Sequence, residues 1–574
     1  MRHLFLIITI FFTTLGIYAL PAPEGGVNAE NYFKALWHIY AYDSQGKLLR
    51  NGYACCLSPD GLGVTSFATL QGAARAEIVD YKGKSYAVTR ILGANSTTDL
   101  VKFQVAGISK AEYFAITEAA ASSNSQTLLP PVNWGKKKQV VSVQITSSES
   151  YPPYQYYHTT VSNETAHFGL PLLGSDGSLV AFVQQNVQKQ ATTACAIDAR
   201  FVSSLTIKPT SALNADLRSI LIPKSLPDNA KDASAYIFML PSSDTLSLRI
   251  AYDDFVEAYP QMADGYVNRA AFAAQHRQFQ ASEKDLSYAL QMAAARTDTA
   301  SMTVDAVRYQ ISNLIYRAIS QQNDTLPPYQ DWTLHRAENE AATAYSLNPQ
   351  TLYLLQQGNC QFLAQKYDAA YRTFLQTCQD TRFASSSTFF SAARSLELAG
   401  SDSLGVMALL DSCIAYIPQP VSAKDAAYYL ERAVRLLRLS RYRDAVADYN
   451  EYEKAIGPRN LSDRFYALRS QAEMEAHMYQ QALDDIRTAI ATTATPLPYR
   501  LDEAFILLRV GEFQEAIEAA SKLLIDLPES PDCYRIIGIA HGEMGHKALA
   551  VQNLQKAIEL GDDTAASVLP RYQK

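Results

Sequence analysis

Few residues in this chain stand at spacings that could do chemistry together. A hydrolytic site needs a nucleophile, a proton acceptor beside it and a group that orients the acceptor. His167 offers an imidazole, but no nucleophile stands at a matching spacing, and its expected place is a polar loop. Seven cysteines are present without a CxxC pair, so zinc and redox readings lack a motif. Cys55 and Cys56 are adjacent, and adjacent strand residues point to opposite faces, so at most one could face a cleft. Buried structural thiols are the expectation for both, with a bridge from either to Cys195 left open. Lys136-Lys137-Lys138 reads as a solvated turn rather than a phosphate or membrane site. The Tyr-rich stretch Tyr151–Tyr157 could offer contact area to a peptide or glycan, although 35 tyrosines in the chain account for much of it.

Two kinds of element must position these residues. Over residues 33–205, short apolar or alternating runs such as Leu36–Tyr42, Val88–Leu92, Lys138–Ile145 and Ser178–Gln184 are separated by Asp60-Gly61, Lys82-Gly83 and Asp176-Gly177. Many short strands divided by glycine turns predict an all-β barrel or sandwich, closed by a short helix at Ala199–Leu205. Pro209, Pro223 and Pro227 predict a linker. From about residue 232, apolar residues recur at three and four, and the pattern returns with a period of about 34 residues. The expected organisation is 1–19 leader, 20–208 β domain, 209–231 linker and 232–574 helical solenoid.

The helical part resembles the tetratricopeptide repeats. In its last unit Tyr534, Ile537, Gly538, His541, Ala550, Leu554 and Ala557 fall at signature positions 4, 7, 8, 11, 20, 24 and 27. The same ruler places units near Ala263, Thr351, Ala426, Asp463 and Leu497, while 301–349 and 385–420 fit only with insertions. About eight repeats result, with a degenerate one at 232–260. The resemblance implies a partner groove lined by Leu355, Asn359 and Phe362, by Leu430, Val434, Leu437 and Arg438, and by Gln471 and Met474. The carboxylate clamp of the chaperone-binding members, Lys then Asn at positions 5 and 9, is absent, since Leu355 precedes Asn359 and Leu430 precedes Val434.

The β region resembles the trypsin-like serine proteases of the HtrA-type branch. The resemblance rests on the run from Asn51 to Thr65, on Thr98-Asp99-Leu100, on Gly169-Leu170-Pro171-Leu172 and on Cys195-Ala196-Ile197-Asp198. It implies a double β-barrel with a Ser-His-Asp triad, and here the triad is eroded. The base position falls on Ala68 and the nucleophile position on Phe168, leaving only Asp99. The glycine that shapes the oxyanion hole has become Ala166. A methyl group accepts no proton and a phenyl ring supplies no attacking oxygen, so the expectation is a pseudoprotease.

Charge and address complete the picture. Residues 20–215 carry 15 Lys+Arg against 13 Asp+Glu, and residues 216–574 carry 34 against 44, within a net charge of -7. No basic field advertises nucleic acid, and an acidic repeat region disfavours anionic ligands. Met1-Arg2-His3, the apolar Leu4–Leu15 and the small-residue end at Ala19 have the order of a secretory signal peptide, with an uncleaved anchor as the rival. Five Asp-Ser/Thr-aliphatic triplets, at Asp244, Asp298, Asp324, Asp402 and Asp563, resemble an envelope O-glycosylation motif. Together these features predict a periplasmic or secreted, non-catalytic scaffold that binds a protein or extended peptide. It would need no cofactor or metal, bind no nucleic acid and hold no stable membrane insertion after cleavage. The alternative is a serine-protease-like hydrolase with a rearranged site. A third reading makes the barrel a cap for the repeats.

Overall fold

The computed structural model describes residues 29–130, 140–164, 167–188, 191–296, 301–321, 329–400 and 403–573. The expected signal peptide, the Lys136–Lys138 run and Ala166 lie outside them. Among the described residues, no helix is long and apolar enough to cross a membrane. The chain divides into two compact units, Met1–Thr303 and Val304–Lys574.

The first unit holds a trypsin-like pair of closed antiparallel barrels. The first barrel comprises β1 (Leu36–Tyr42), β2 (Leu48–Cys56), β3 (Leu62–Thr65), β4 (Arg75–Val79), β5 (Ser85–Asn95) and β6 (Leu100–Val105). The second comprises β7 (Gln126–Leu129), β8 (Val141–Tyr151), β9 (Tyr154–Ser162), β10 (Pro171–Leu173), β11 (Leu179–Gln184) and β12 (Thr193–Asp198). The strand orders are β1-β2-β3-β6-β5-β4 and β7-β8-β9-β12-β11-β10, one wiring used twice. Alternation along each strand fills the interiors: Ile39, Ile78 and Phe103 are fully buried in the first, Ile145, Tyr157 and Ala196 in the second. Closure removes the sheet edges that would otherwise invite pairing with other chains.

Residues 209–231, expected as a linker, are packed instead. Pro209 starts a 3-10 turn, Pro209–Leu213, and a short helix follows at Ala215–Ser219. Leu217, Ile220 and Ile222 enter the same core as the first barrel, together with Ala233, Tyr236 and Phe255 from the first helices. Arg90 on β5 forks onto Asp254 at 2.9 and 2.7 Å, adding a charged fastening to that apolar contact.

From Ala230 the chain forms helices two by two. In the first unit Ala263–Gln275 pairs with Phe279–Ala294. In the second, Thr351–Leu363 pairs with Tyr367–Thr377, Ala423–Arg438 with Tyr442–Ile456, Asp463–Glu475 with Tyr479–Thr492, Leu497–Val510 with Phe513–Asp526, and Pro531–Glu543 with Lys547–Glu559. The small-under-large rule sets the approach of the paired helices. A Cβ on Gly358 would meet the Phe374 ring at 2.9 Å, and one on Gly538 would meet Leu554 at 2.8 Å. A larger residue there pushes the pair apart, because packed helices have no slack.

A second fastening recurs in three pairs. Arg269, Arg432 and Arg469 each fork onto the aspartate sixteen residues later, Asp285, Asp448 and Asp485, at 2.6–2.9 Å. Each arginine also reaches an acid on an earlier helix, Asp253, Asp411 or Glu453. These are repeat positions 7 and 23. Where position 7 is apolar, as at Ile537, position 23 holds the uncharged Asn553. Arginine and aspartate enter and leave together because either one alone would be a half-buried charge without its partner.

Candidate functional site

The two loops that a trypsin-like site would use meet where the barrels touch. β3 ends at Thr65, and one helical turn, Phe67–Leu70, follows. Gly169, just before β10, approaches it with φ +83°, and a Cβ there would meet the Ser66 amide nitrogen at 2.9 Å. Only glycine accepts both that backbone conformation and that approach. The Cys55 thiol, buried on β2, lies 3.8 Å from the Gly169 carbonyl and completes the seam.

Asp99 faces Ala68, the residue expected at a base position, and its carboxylate is already occupied. Oδ1 accepts from the Ala68 amide at 2.9 Å and Oδ2 from the Ser66 hydroxyl at 2.6 Å. In this role the side chain caps the Phe67–Leu70 turn, whose first amides have no partner within the turn itself. Burial pushes the Asp99 carboxyl above the usual aspartate range, and the bonds from Ser66 and Ala68 pull the other way. Ala68 itself is exposed and carries nothing that titrates. Phe168 is half-buried and packs against the second barrel's apolar interior, so its ring is a packing element. His167 is exposed, with its ring edge-on to Tyr53 at 5.5 Å.

The other candidates resolve individually. All seven cysteines are free thiols, so the bridge left open between Cys55 or Cys56 and Cys195 is not formed. Burial pushes the Cys56 thiol up to about 12 and raises Cys55 further from reactivity. The Tyr-rich stretch is mostly structural. Tyr151 and Tyr154 pack on Phe201 at 6.0 and 5.5 Å, and Tyr157 is inside the barrel. Among the described residues, no group of three or more His, Cys, Asp or Glu is placed to hold a metal ion.

The expected groove divides by repeat. Leu355, Phe362, Leu430 and Leu437 are half-buried against the helical core, so much of their surface is used internally. Asn359 is half-buried, Val434 is 40% exposed, and Arg438 is exposed. Gln471 and Met474 instead line an open cavity of about 470 Å³ between the Asp463–Glu475 and Leu497–Val510 helices. Arg464, Glu475, Tyr499, Asp502 and Phe505 belong to the same wall, and Phe505 is 39% exposed. Phe505 escapes a reading that stops at the unit near Asp463. The same ruler, run one unit on, puts it at position 9, the position of Gln471.

Comparison with known proteins adds limited context. No family model and no curated protein matches the chain. Among solved structures, it is similar to the HtrA-type protease AlgW with tripeptide, at 15% identity and a TM-score of 0.27, covering 31% of this chain and 60% of that one. A substituted form of the same protease, also with tripeptide, gives the same figures. The chain thus spans less than two thirds of the length of these structures.

Proposed function

We propose that this chain is a non-catalytic, peptide-binding scaffold of the cell envelope, in which a trypsin-like pseudoprotease precedes tetratricopeptide repeats. One observation carries the reading. The carboxylate that would orient a catalytic base is bonded instead to the Ser66 hydroxyl and the Ala68 amide, with Ala68 and Phe168 where base and nucleophile would stand. An orienting group without a base or nucleophile gives no acyl transfer at that seam.

The cavity at Met474 and Phe505 supplies the positive half. It combines exposed apolar surface with Arg464, Gln471 and Asp502, the mixture that anchors an apolar side chain and holds polar backbone at the rim. The expected occupant is an extended peptide with an apolar anchor. The test is equilibrium binding of fluorescent extended peptides, with and without a Leu or Phe anchor, to residues 20–574, alongside labelled casein as a cleavage substrate. Anchored peptides should bind, Phe505→Ala should weaken binding roughly tenfold or more, and casein should stay intact. Equal affinity for anchored and anchorless peptides would contradict the binding site, and casein cleavage would contradict the pseudoprotease.

A further inference from the structure

The second barrel carries a row of polar residues that takes no part in the hydrogen bonds of Asp99 with Ser66 and Ala68. Gln184 on β11 lies directly across from Cys195 on β12, and Cys195 directly across from His158 on β9. Directly opposed residues share a face, and since Val183, Ala194, Ala196 and Tyr157 fill the interior, this row is on the outer face, where the next row along, Phe182, Ile197 and Tyr156, packs into the core shared with the first barrel. The Cys195 sulfur is 3.9 Å from His158 Nδ1, and His158 Nε2 is 2.7 Å from a Glu149 carboxylate oxygen on β8. Glu149 therefore fixes the tautomer with hydrogen on Nε2 and leaves the Nδ1 lone pair toward the thiol. Gln184 is only 3% exposed, yet neither its amide nitrogen nor its oxygen has a hydrogen-bond partner among the described residues. A buried amide without a partner is costly, and a ligand oxygen would satisfy it.

We propose that Cys195, His158, Glu149 and Gln184 form a thiol acyl-acceptor site that takes a small acyl group from an activated ester or thioester. This goes beyond the binding reading and does not depend on it. The sulfur attacks the carbonyl carbon, forming the S–C bond as its proton passes to His158 Nδ1. The carbonyl oxygen, now negative, takes the Gln184 N–H. The bond from carbon to the leaving alcohol or thiol then breaks, the leaving group departs with the proton from Nδ1, and Cys195 remains as a thioester. Base assistance is needed, because burial raises the Cys195 thiol, Tyr156 opposing by hydrogen bond and the Glu149 charge adding to the rise. Cys195 is 3% exposed while the His158 side chain is 31% exposed, so entry is past the imidazole and the acyl group must be small. Three other thiols have different neighbours: Cys55 and Cys56 face backbone carbonyls, and Cys360 lies between Ser312 and Gln356.

The test is to incubate residues 20–574 with 4-nitrophenyl acetate, follow nitrophenolate release, and map hydroxylamine-sensitive acetyl groups by peptide mass spectrometry. The expected result is one thioester, on Cys195, absent from Cys195→Ser. His158→Gln should slow acetylation roughly 100-fold or more, and Gln184→Leu by a similar factor. Glu149 is 67% exposed, so Glu149→Gln tests the orienting role with little risk to the fold and should also slow the reaction. Acetylation of half-buried Cys378 as fast as Cys195, or a rate at Cys195 unchanged by His158→Gln or Glu149→Gln, would overturn the proposal.

Discussion

Asp99 in the first barrel and Asp485 in the helical unit are both carboxylates withdrawn from water, and they are satisfied by opposite means. Asp99 is held by neutral donors, the Ser66 hydroxyl and the Ala68 amide. Asp485 is gripped by both forks of Arg469, itself 8% exposed at the side chain, with Glu453 on the arginine's other side. The difference shows what each region has done with its charge. The barrel uses its acid to cap a turn. The repeats use acids as half of a fastening that fails if either half is lost.

That contrast predicts unequal responses to mutation. Asp485→Ala leaves a buried guanidinium without its main partner and should cost about 3–5 kcal/mol, read by denaturant unfolding of the full chain followed through its helical signal. Replacing the pair by Arg469→Met with Asp485→Leu should recover part of that loss, because the buried guanidinium is gone and Glu453, 28% exposed at the side chain, is left to be hydrated. If the single and double replacements cost the same, the fork is not a coupled unit. Ser66→Ala takes one neutral donor from Asp99 and leaves the Ala68 amide in place, and should cost less, about 1.5–3 kcal/mol.

A neighbour sharpens the comparison through pH. Glu473, 4% exposed beside Asp485, has its carboxyl pushed up to about 8, by burial first and then by the Asp485 charge. A folded pKa raised above the unfolded value of 4.5 means the folded state holds the extra proton. Its stabilising contribution is complete below about pH 4.5 and is lost as pH rises through about 8. Between pH 5 and 8 the parent chain should therefore lose stability relative to Glu473→Gln, by at most about 1.4 kcal/mol per pH unit. Parallel stability curves for the two over that window would place Glu473 in a solvated setting.

The sequence carried the architecture further than the site. Leu36–Tyr42 alternates as a strand should, and the signature positions of the last unit find their packing reason in Gly538 beneath Leu554. Prolines misled at 209–231, where Leu217, Ile220 and Ile222 are core residues that a proline count does not weigh. The sixteen-residue spacing from Arg469 to Asp485 is legible in the chain, yet it signals a fastening only once two helices are known to be antiparallel. The expectation that Ala68 and Phe168 stand where a base and a nucleophile would be did not foresee that Ser66 takes up the Asp99 carboxylate. The Cys195, His158 and Glu149 row needs the register of three strands, which no local pattern supplies.

The most direct measurement of the central claim is covalent labelling with a fluorophosphonate, which reacts with activated serine hydroxyls. Ser66 is the hydroxyl bonded to Asp99, so it is the serine on which residual chemistry at the seam would show. The account predicts that residues 20–574 carry no phosphonyl adduct at Ser66 after prolonged incubation, because its hydroxyl is bonded to a carboxylate that also caps the turn, and not to an imidazole. An adduct mapped to Ser66 and lost in Asp99→Asn would contradict the account and make the seam a working site.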